Sequence, residues 1–342
     1  MRVGVMGATG LVGTEMLRLL VERSFPVDEL RAYASPRSEG RKLPFGSGDV
    51  TCEILKPGCF DGLDLVIVDV DDPLAFEWAP VAAAAGAKVV DNSAAFRMDP
   101  DIPLVVAEVN PGDMQHMPKG IASCPNCTTM IPVTAWAPLH RAARIDRLVV
   151  SSYQSVSGAG QVGMHELDAQ WAKLDGRAQD LARAGTFAAP LVEGEVWPKP
   201  IAGNVIPLAG SLKEEGYTSE EWKMVRETRK ILHDDHIQCA VTCVRVPVYV
   251  GHAVSANVRF HRPMSKAEAL DILRDAPGVQ LVDDGDGSPT PLEAAGIDPV
   301  LVGRVREDGS EPGSINLWIT GDNLRKGAAL NGIQMAEVLL GL

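Results

Sequence analysis

The chain has 342 residues, 46% of them hydrophobic, and its 45 acidic against 32 basic side chains give a formal net charge of −13. That length suits two domains with separate cores, and no apolar run approaches the roughly 18 residues of a membrane helix. The negative charge, with no arginine-rich stretch or interleaved aromatics to offset it, excludes nucleic acid as an expected partner.

The N-terminus carries one basic side chain, Arg2, and reaches Gly4 and Gly7 too early to build a secretory signal, so a cytosolic placement is expected. Arg2–Met6 reads as a strand. Gly7-Ala8-Thr9-Gly10-Leu11-Val12-Gly13 reads as a glycine turn, followed by an amphipathic helix with Met16, Leu17, Leu19 and Leu20 on its buried side. Strand-like runs follow at Leu30–Ala34, Leu63–Val68, Lys88–Asp91 and Leu104–Val109, with an alanine-rich helix over Phe76–Ala85. Strands alternating with helices predict a parallel, doubly wound, Rossmann-type α/β domain. Around residue 145 the pattern changes to longer strands, Leu148–Ser155, Cys239–Val248 and Ala253–Phe260, with helices at Ser219–Leu232 and Ser265–Asp275. These predict a second, α+β domain built on an antiparallel sheet. Asp283–Thr290 reads as a surface loop, and Lys326–Leu342 as an apolar helix that packs back on a sheet.

The turn at Gly7, Gly10 and Gly13, directly after a strand and opening a helix, suits a dinucleotide. Glycines let the backbone approach a pyrophosphate, and the helix N-terminus favours its charge. Where NAD enzymes place an acidic residue after the second strand, this chain has Tyr33-Ala34-Ser35-Pro36-Arg37-Ser38. Hydroxyls and an arginine there suit a 2′-phosphate, hence NADP, although Arg37 alone equally fits a solvated loop charge.

Six cysteines, at 52, 59, 124, 127, 239 and 243, are too few for a disulfide scaffold. Cys52, Cys59, Cys239 and Cys243 are expected as small buried hydrophobes, and a four-cysteine zinc site from Cys124, Cys127, Cys239 and Cys243 is disfavoured because the second pair lies in a strand-like run. No metal site is expected. Cys127 differs: it follows Pro125-Asn126 and opens a helical pattern running to His140, so the helix dipole favours its thiolate and the free N–H groups form an oxyanion site. Of seven histidines, His252 is the best proton partner, since it follows Gly251 at a strand start shortly after Arg245.

Together these segments resemble the bacterial aspartate-β-semialdehyde dehydrogenase family over essentially the whole chain. The matching segments are Gly7–Gly13 (nucleotide loop: Gly7, Thr9, Gly10, Leu11, Val12, Gly13), Ala34–Ser38 (2′-phosphate loop) and Asp91–Arg97 (substrate phosphate). Pro125–Thr128 (catalytic turn), Tyr153–Gly158, Glu220–Lys223, Arg245–Pro247 with Gly251-His252, and Gly321–Gly327 complete the match. The resemblance implies NADPH-dependent reduction of L-aspartyl 4-phosphate to L-aspartate 4-semialdehyde and phosphate. Cys127 would form the thioester, Gln154 and Asn126 would assist, and His252 would handle the thiol proton. Glu220 would meet the substrate ammonium, Arg245 the α-carboxylate, and Lys223 with Arg97 the phosphate. Glu220 and Lys223 are three apart in a helical pattern and share a face, a spacing that equally fits a surface ion pair. Ser157, Gly158 and Asn323 would join Ser35, Arg37 and Ser38 in holding NADP(H). The implied domains are residues 1–127 plus 323–342, binding NADP, and residues 128–322, for catalysis and dimerisation in a homodimer or tetramer.

Three departures from the family pattern surround these motifs. Asp69-Val70-Asp71-Asp72 replaces a Ser-Ala-Gly-Gly-like loop, Cys124 an asparagine, and Gly203 a phenylalanine. Carboxylates beside a pyrophosphate repel it, so weak NADPH binding is expected, along with an alternative reading: a divergent paralogue using another acyl phosphate, or doing thioester chemistry without hydride transfer. A non-catalytic dinucleotide-binding scaffold is a further reading, against which stand Cys127 and His252. A reversible Cys124–Cys127 disulfide is also expected under oxidation.

Overall fold

A computed structural model describes residues 1–177, 179–180, 193–283 and 286–342. The chain forms two compact units. The first comprises Met1–Pro138, Arg226–His236 and Leu324–Leu342; the second comprises Leu139–Val225 and Ile237–Asn323.

The first unit is built on β1 (Arg2–Met6), β2 (Glu29–Tyr33), β3 (Lys42–Phe45), β4 (Gly48–Glu53), β5 (Leu65–Val68), β6 (Lys88–Asp91) and β7 (Ile121–Ser123), arranged β3-β4-β2-β1-β5-β6-β7. Every neighbouring pair is parallel except the β3–β4 hairpin. The β5 sequence Leu-Val-Ile-Val is buried throughout, as a central parallel strand covered on both faces requires. The helix Leu11–Glu22 buries Met16, Leu17, Leu19 and Leu20, and the helix Asp72–Ala84 buries Ala75, Ala79 and Ala82. Strand order reverses at β1, whose neighbours are β2 and β5, and a crevice forms where the loops at that reversal part.

Leu104–Val109 is not a strand. Leu104 makes a single bridge to Ser123, after which the chain turns with Val109 N–H donating to the Val106 carbonyl. The reason is side-chain competition for the backbone. Asn110 Oδ1 accepts from Val106 N–H, while Asn331 accepts from Ala107 N–H and donates to the Val105 carbonyl. The C-terminal helix opens with a π-helical turn, Arg325–Ala329, before Leu330–Leu340.

The second unit carries β8 (Ile145–Gln154), β9 (Gln238–Arg245), β10 (His252–Phe260), β11 (Val279–Leu281), β12 (Val300–Glu307) and β13 (Ile315–Gly321), in the order β11-β12-β13-β10-β8-β9. The sheet is mixed, contrary to the antiparallel expectation: β8–β9 and β11–β12 are parallel, and the rest antiparallel. Long connections make the parallel pairs possible, since parallel neighbours need a crossover that a tight turn cannot supply. The expected loop Asp283–Thr290 falls in part, at 284 and 285, outside the described residues.

Candidate functional site

In the first unit the glycine loop is constrained by contact. Gly7 has φ +83°, and a Cβ there would lie 1.9 Å from the Asp69 carbonyl oxygen; a Cβ on Gly13 would lie 2.2 Å from the Gly7 carbonyl oxygen. Only glycine permits this close packing of β1, the loop after β5 and the first helical turn. Leu11 and Val12 open the helix behind the loop. An open cleft of about 640 Å³ is lined by Gly7, Thr9, Gly10 and Ser35, with Leu55 and Trp78 among its apolar walls. Arg37 and Ser38 lie in the short helical turn Pro36–Ser38 at the end of β2. A cradle that any Cβ would fill, beside a helix N-terminus and an open cleft, fits a dinucleotide pyrophosphate and adenosine.

Asp69, Val70 and Asp71 line the same cleft. The three carboxylates are not equivalent, however. Asp71 stands at the N-cap position of the helix Asp72–Ala84 without a side-chain capping bond, and Asp72, in its first turn, accepts from Ala94 N–H at 2.8 Å; both lie at a helix start, which favours negative charge. Asp69 faces the glycine loop: a Cβ on Gly10 would lie 3.9 Å from its Oδ2. Burial, reinforced by Asp91 and opposed by Asn92, pushes its carboxyl up to about 6.

Cys127 is the first residue of the helix Cys127–Ala143 and is half-buried. Asn126 caps that helix, its carbonyl accepting from Thr129 and Met130 N–H and its Oδ1 accepting from Thr128 N–H at 2.9 Å. The Cys127 Sγ lies 3.9 Å from Asn126 Oδ1. Cys124 is fully buried, 3.3 Å from Met335 Sδ, and accepts from Asn331 Nδ2 at 3.6 Å. Burial pushes its thiol up to about 12, which disfavours a Cys124 thiolate, and both cysteines of the expected Cys124–Cys127 switch are free thiols here. Cys52, Cys59 and Cys243 are buried as expected, whereas Cys239 is half-exposed on the edge strand β9. Among the described residues no group of three or more His, Cys, Asp or Glu side chains is arranged to hold a metal ion.

Arg97 is buried, its Nη1 donating to Glu227 at 3.1 Å and its Nη2 to the Asn92 carbonyl at 2.8 Å. Burial alone would weaken its protonation, but the Glu227 carboxylate more than restores it. The Nε, also buried, meets no hydrogen-bond partner among the described residues, which leaves a donor available to an anion.

The second unit gathers the remaining expected residues. His252, completely buried, accepts on Nδ1 from Ser155 N–H at 3.1 Å, which places its proton on Nε2. Burial and the neighbouring Arg245 push the imidazole down to about 3, so it is neutral. Arg245 donates to the Ser155 carbonyl at 2.6 Å, and its guanidinium stands 5.9 Å from the centroid of the Trp197 ring. Gly158 fits against Arg245 and His252, since a Cβ there would meet Arg245 Nη1 at 2.9 Å and His252 Cε1 at 3.5 Å. Asn323 Oδ1 accepts from Gly251 N–H and Ser155 Oγ, and its Nδ2 donates to Ser157 Oγ. Gln154 Nε2 lies 3.5 Å from Glu220 Oε2, and Lys223 donates to Glu220 Oε1 at 2.7 Å. Glu220 and Lys223 thus do share a helix face, paired with one another. Sequence reasoning missed Ser155, Trp197 and Glu227. Glu227 and Lys230 continue the spacing of Glu220 and Lys223, and that periodicity was the available signal.

Residues 2–117 match the family model for the semialdehyde dehydrogenase NAD binding domain, and residues 136–326 the model for the semialdehyde dehydrogenase dimerisation domain. The chain is 47% identical over 341 residues to the aspartate-semialdehyde dehydrogenase of Streptomyces akiyoshiensis, covering 99% of this chain and 98% of that protein. It superposes with TM-score 0.93 and 41% identity on aspartate semialdehyde dehydrogenase II of Vibrio cholerae complexed with ASA, covering 99% and 98% of the two chains. The aspartate semialdehyde dehydrogenase of Candida albicans, solved with NADP, matches with TM-score 0.74 and 25% identity over 99% and 98% of the chains.

Proposed function

The chain belongs to the aspartate-semialdehyde dehydrogenase family, and on that premise we propose how its own residues carry the reaction. It is an NADP-dependent oxidoreductase that reduces L-aspartyl 4-phosphate to L-aspartate 4-semialdehyde and phosphate, reversibly. The observation that carries the residue assignment is Cys127 at the first position of a helix capped by Asn126. There the helix dipole stabilises a thiolate, while the N–H groups of Thr128, Thr129 and Met130, expected to form an oxyanion site, are taken up by Asn126. No observation favours another acyl phosphate or thioester chemistry without hydride transfer.

The Cys127 thiolate attacks the acyl carbon, phosphate leaves, and a thioester remains on sulfur. Arg97 and Lys223 hold the phosphate, Glu220 the substrate ammonium, Arg245 the α-carboxylate, and Gln154 orients the acyl group. Gly7, Thr9, Gly10, Leu11, Val12, Gly13, Ser35, Arg37, Ser38, Ser157, Gly158 and Asn323 hold NADP(H), which supplies the hydride when bound. The resulting hemithioacetal oxyanion accepts a hydrogen bond from the neutral His252 Nε2–H, which keeps its proton; the oxyanion then collapses to the aldehyde as the Cys127 thiolate leaves. Residues 1–127 with 323–342 serve the cofactor and residues 128–322 serve catalysis and assembly. The working form is a homodimer or tetramer in the cytosol, a reading whose assembly part is supported by the match to a dimerisation domain. No helix among the described residues is long and apolar enough to cross a membrane.

The test is absorbance at the NADPH band with aspartate semialdehyde, phosphate and NADP. Turnover by the wild-type protein and its loss in Cys127→Ala, with unchanged thermal unfolding, are expected. Near-wild-type turnover by the variant would move the nucleophile elsewhere.

A further inference from the structure

The helix Ser219–Leu232 contributes two buried or half-buried charged groups that the mechanism above does not use. The Glu227 side chain is 2% exposed, and its two oxygens take different partners. Oε1 accepts from Arg97 Nη1 at 3.1 Å, and Oε2 accepts from Asn126 N–H at 2.7 Å. One carboxylate therefore bridges the anion-binding arginine and the residue that caps the nucleophile's helix. Three positions further, Lys230 Nζ donates to the carbonyls of Arg97, Asp99 and Ile102 at 2.8, 2.7 and 2.9 Å. An ammonium with three carbonyl acceptors on one loop saturates its donors there and fixes the backbone from which Arg97 projects. Glu227 and Lys230, at i and i+3, share a helix face.

We propose that Glu227 is a positioning residue for phosphate transfer to and from the acyl group, setting Arg97 and the Asn126–Cys127 turn at a fixed separation, with Lys230 bracing the Arg97 loop. The inference rests on the assignment of Arg97 to the substrate phosphate. A thiolate and a phosphate site on separate loops drift independently, and misplacement by about 1 Å can cost on the order of a hundredfold in rate. A carboxylate is required because a neutral amide can accept from Asn126 N–H but presents N–H groups to a guanidinium that needs acceptors. The bridge also leaves Arg97 with free donors, since only one N–H of Nη1 is used by Glu227 and one of Nη2 by Asn92.

The experiment measures the phosphorylating direction, where inorganic phosphate is itself a substrate, for wild type, Glu227→Gln, Arg97→Ala and the double variant. Cys127 is titrated with iodoacetamide to count competent sites. For Glu227→Gln the KM for phosphate is expected to rise about tenfold to a hundredfold per competent site, the size of one charge-assisted hydrogen bond, with the KM for NADP unchanged. The double variant is expected to be no worse for phosphate than Arg97→Ala, because Glu227 acts through Arg97. A merely structural role would lower the thermal midpoint and the titratable fraction while leaving the phosphate KM of surviving sites alone, and that result overturns the inference. Lys230→Met serves as a second variant, near-isosteric and touching neither Glu227 nor the Arg97 guanidinium; an unchanged phosphate KM in whichever variant folds is likewise fatal. A wild-type protein that turns over no aspartate semialdehyde would instead overturn the functional assignment, and the inference with it.

Discussion

Replacing Asp69 by asparagine should tighten NADPH binding and remove most of its pH dependence. The carboxylate faces the glycine loop, 3.9 Å from where a Gly10 Cβ would stand, and burial holds it at about 6 in the free protein. At pH 8 it is ionised beside the expected pyrophosphate site. A like charge at about 4 Å costs roughly 1 kcal/mol in water and about 4 at a protein surface, so about 1–2 kcal/mol, or five- to thirtyfold in affinity, is a reasonable expectation for a partly exposed wall. The sign follows from linkage. An adjacent anion raises the carboxyl further, so binding takes up a proton. Wild-type affinity is then greatest below pH 6, weakens as pH rises toward the bound-state value, and is flat beyond it. The same argument applied to folding compares about 6 with an ordinary aspartate near 4. The native state keeps its proton to higher pH, so ionisation costs at most about 3 kcal/mol of stability, a cost that appears as pH rises from about 4 to 6 and persists above. Isothermal titration from pH 5.5 to 8, in buffers of different ionisation enthalpy, reads both affinity and proton uptake, and the ratio of wild type to Asp69→Asn cancels the ionisation of the 2′-phosphate. A ratio that does not change with pH, or equal proton uptake by the two proteins, refutes the reasoning.

Arg37→Ala should weaken NADP about tenfold to a hundredfold while leaving NAD nearly unchanged, since a charged contact to the 2′-phosphate is worth about 1.5–3 kcal/mol; parallel cofactor titrations check it, and equal losses would remove the role. His252 is buried and neutral, held down to about 3, so its carbon-bound ring protons should show no titration between pH 5 and 8 by NMR; a midpoint near 6.5 would contradict the buried, Ser155-bonded imidazole. Lys326 is completely buried against Glu108 and donates to Gln334 at 2.9 Å. Lys326→Met should destabilise the fold by about 3–5 kcal/mol by leaving a largely buried carboxylate unpaired, and adding Glu108→Leu should recover much of the loss; chemical denaturation measures both.

The elements that sequence patterning located are those whose burial is continuous or strictly periodic. β1, β5, β6 and the helix Ser219–Leu232 lie where the apolar residues put them, because each is decided by its own side chains. Leu104–Val109 misled for the opposite reason: its apolar run is real and buried, but Asn110 and Asn331 take its backbone groups, and Asn331 stands more than two hundred residues away. The hairpin Lys42–Phe45 with Gly48–Glu53 carries little alternation and was missed, as were Val300–Glu307 and Ile315–Gly321. At the site, local geometry was legible wherever the chemistry depends on chain order, as with Cys127 after its cap and Gly7 after β1. The partners that tune those groups were not. Nothing adjacent in the chain tells that Glu227 serves Asn126, that Trp197 faces Arg245, or that only Asp69 of its three neighbouring carboxylates faces the glycine loop.

The first compact unit is drawn from three stretches of chain, the last being Leu324–Leu342. A ribosome therefore releases every residue of the second unit before the first can be finished. Until then Glu15, Glu22 and Glu108 wait without Arg325 and Lys326, which reach them across 310, 303 and 218 residues. Contacts so distant in sequence close slowly, and β1 to β7 should remain the open part of a nascent chain, dependent on the final helix for closure. Fragments ending at residue 127 or 138 should accordingly fail to yield a stable nucleotide-binding module.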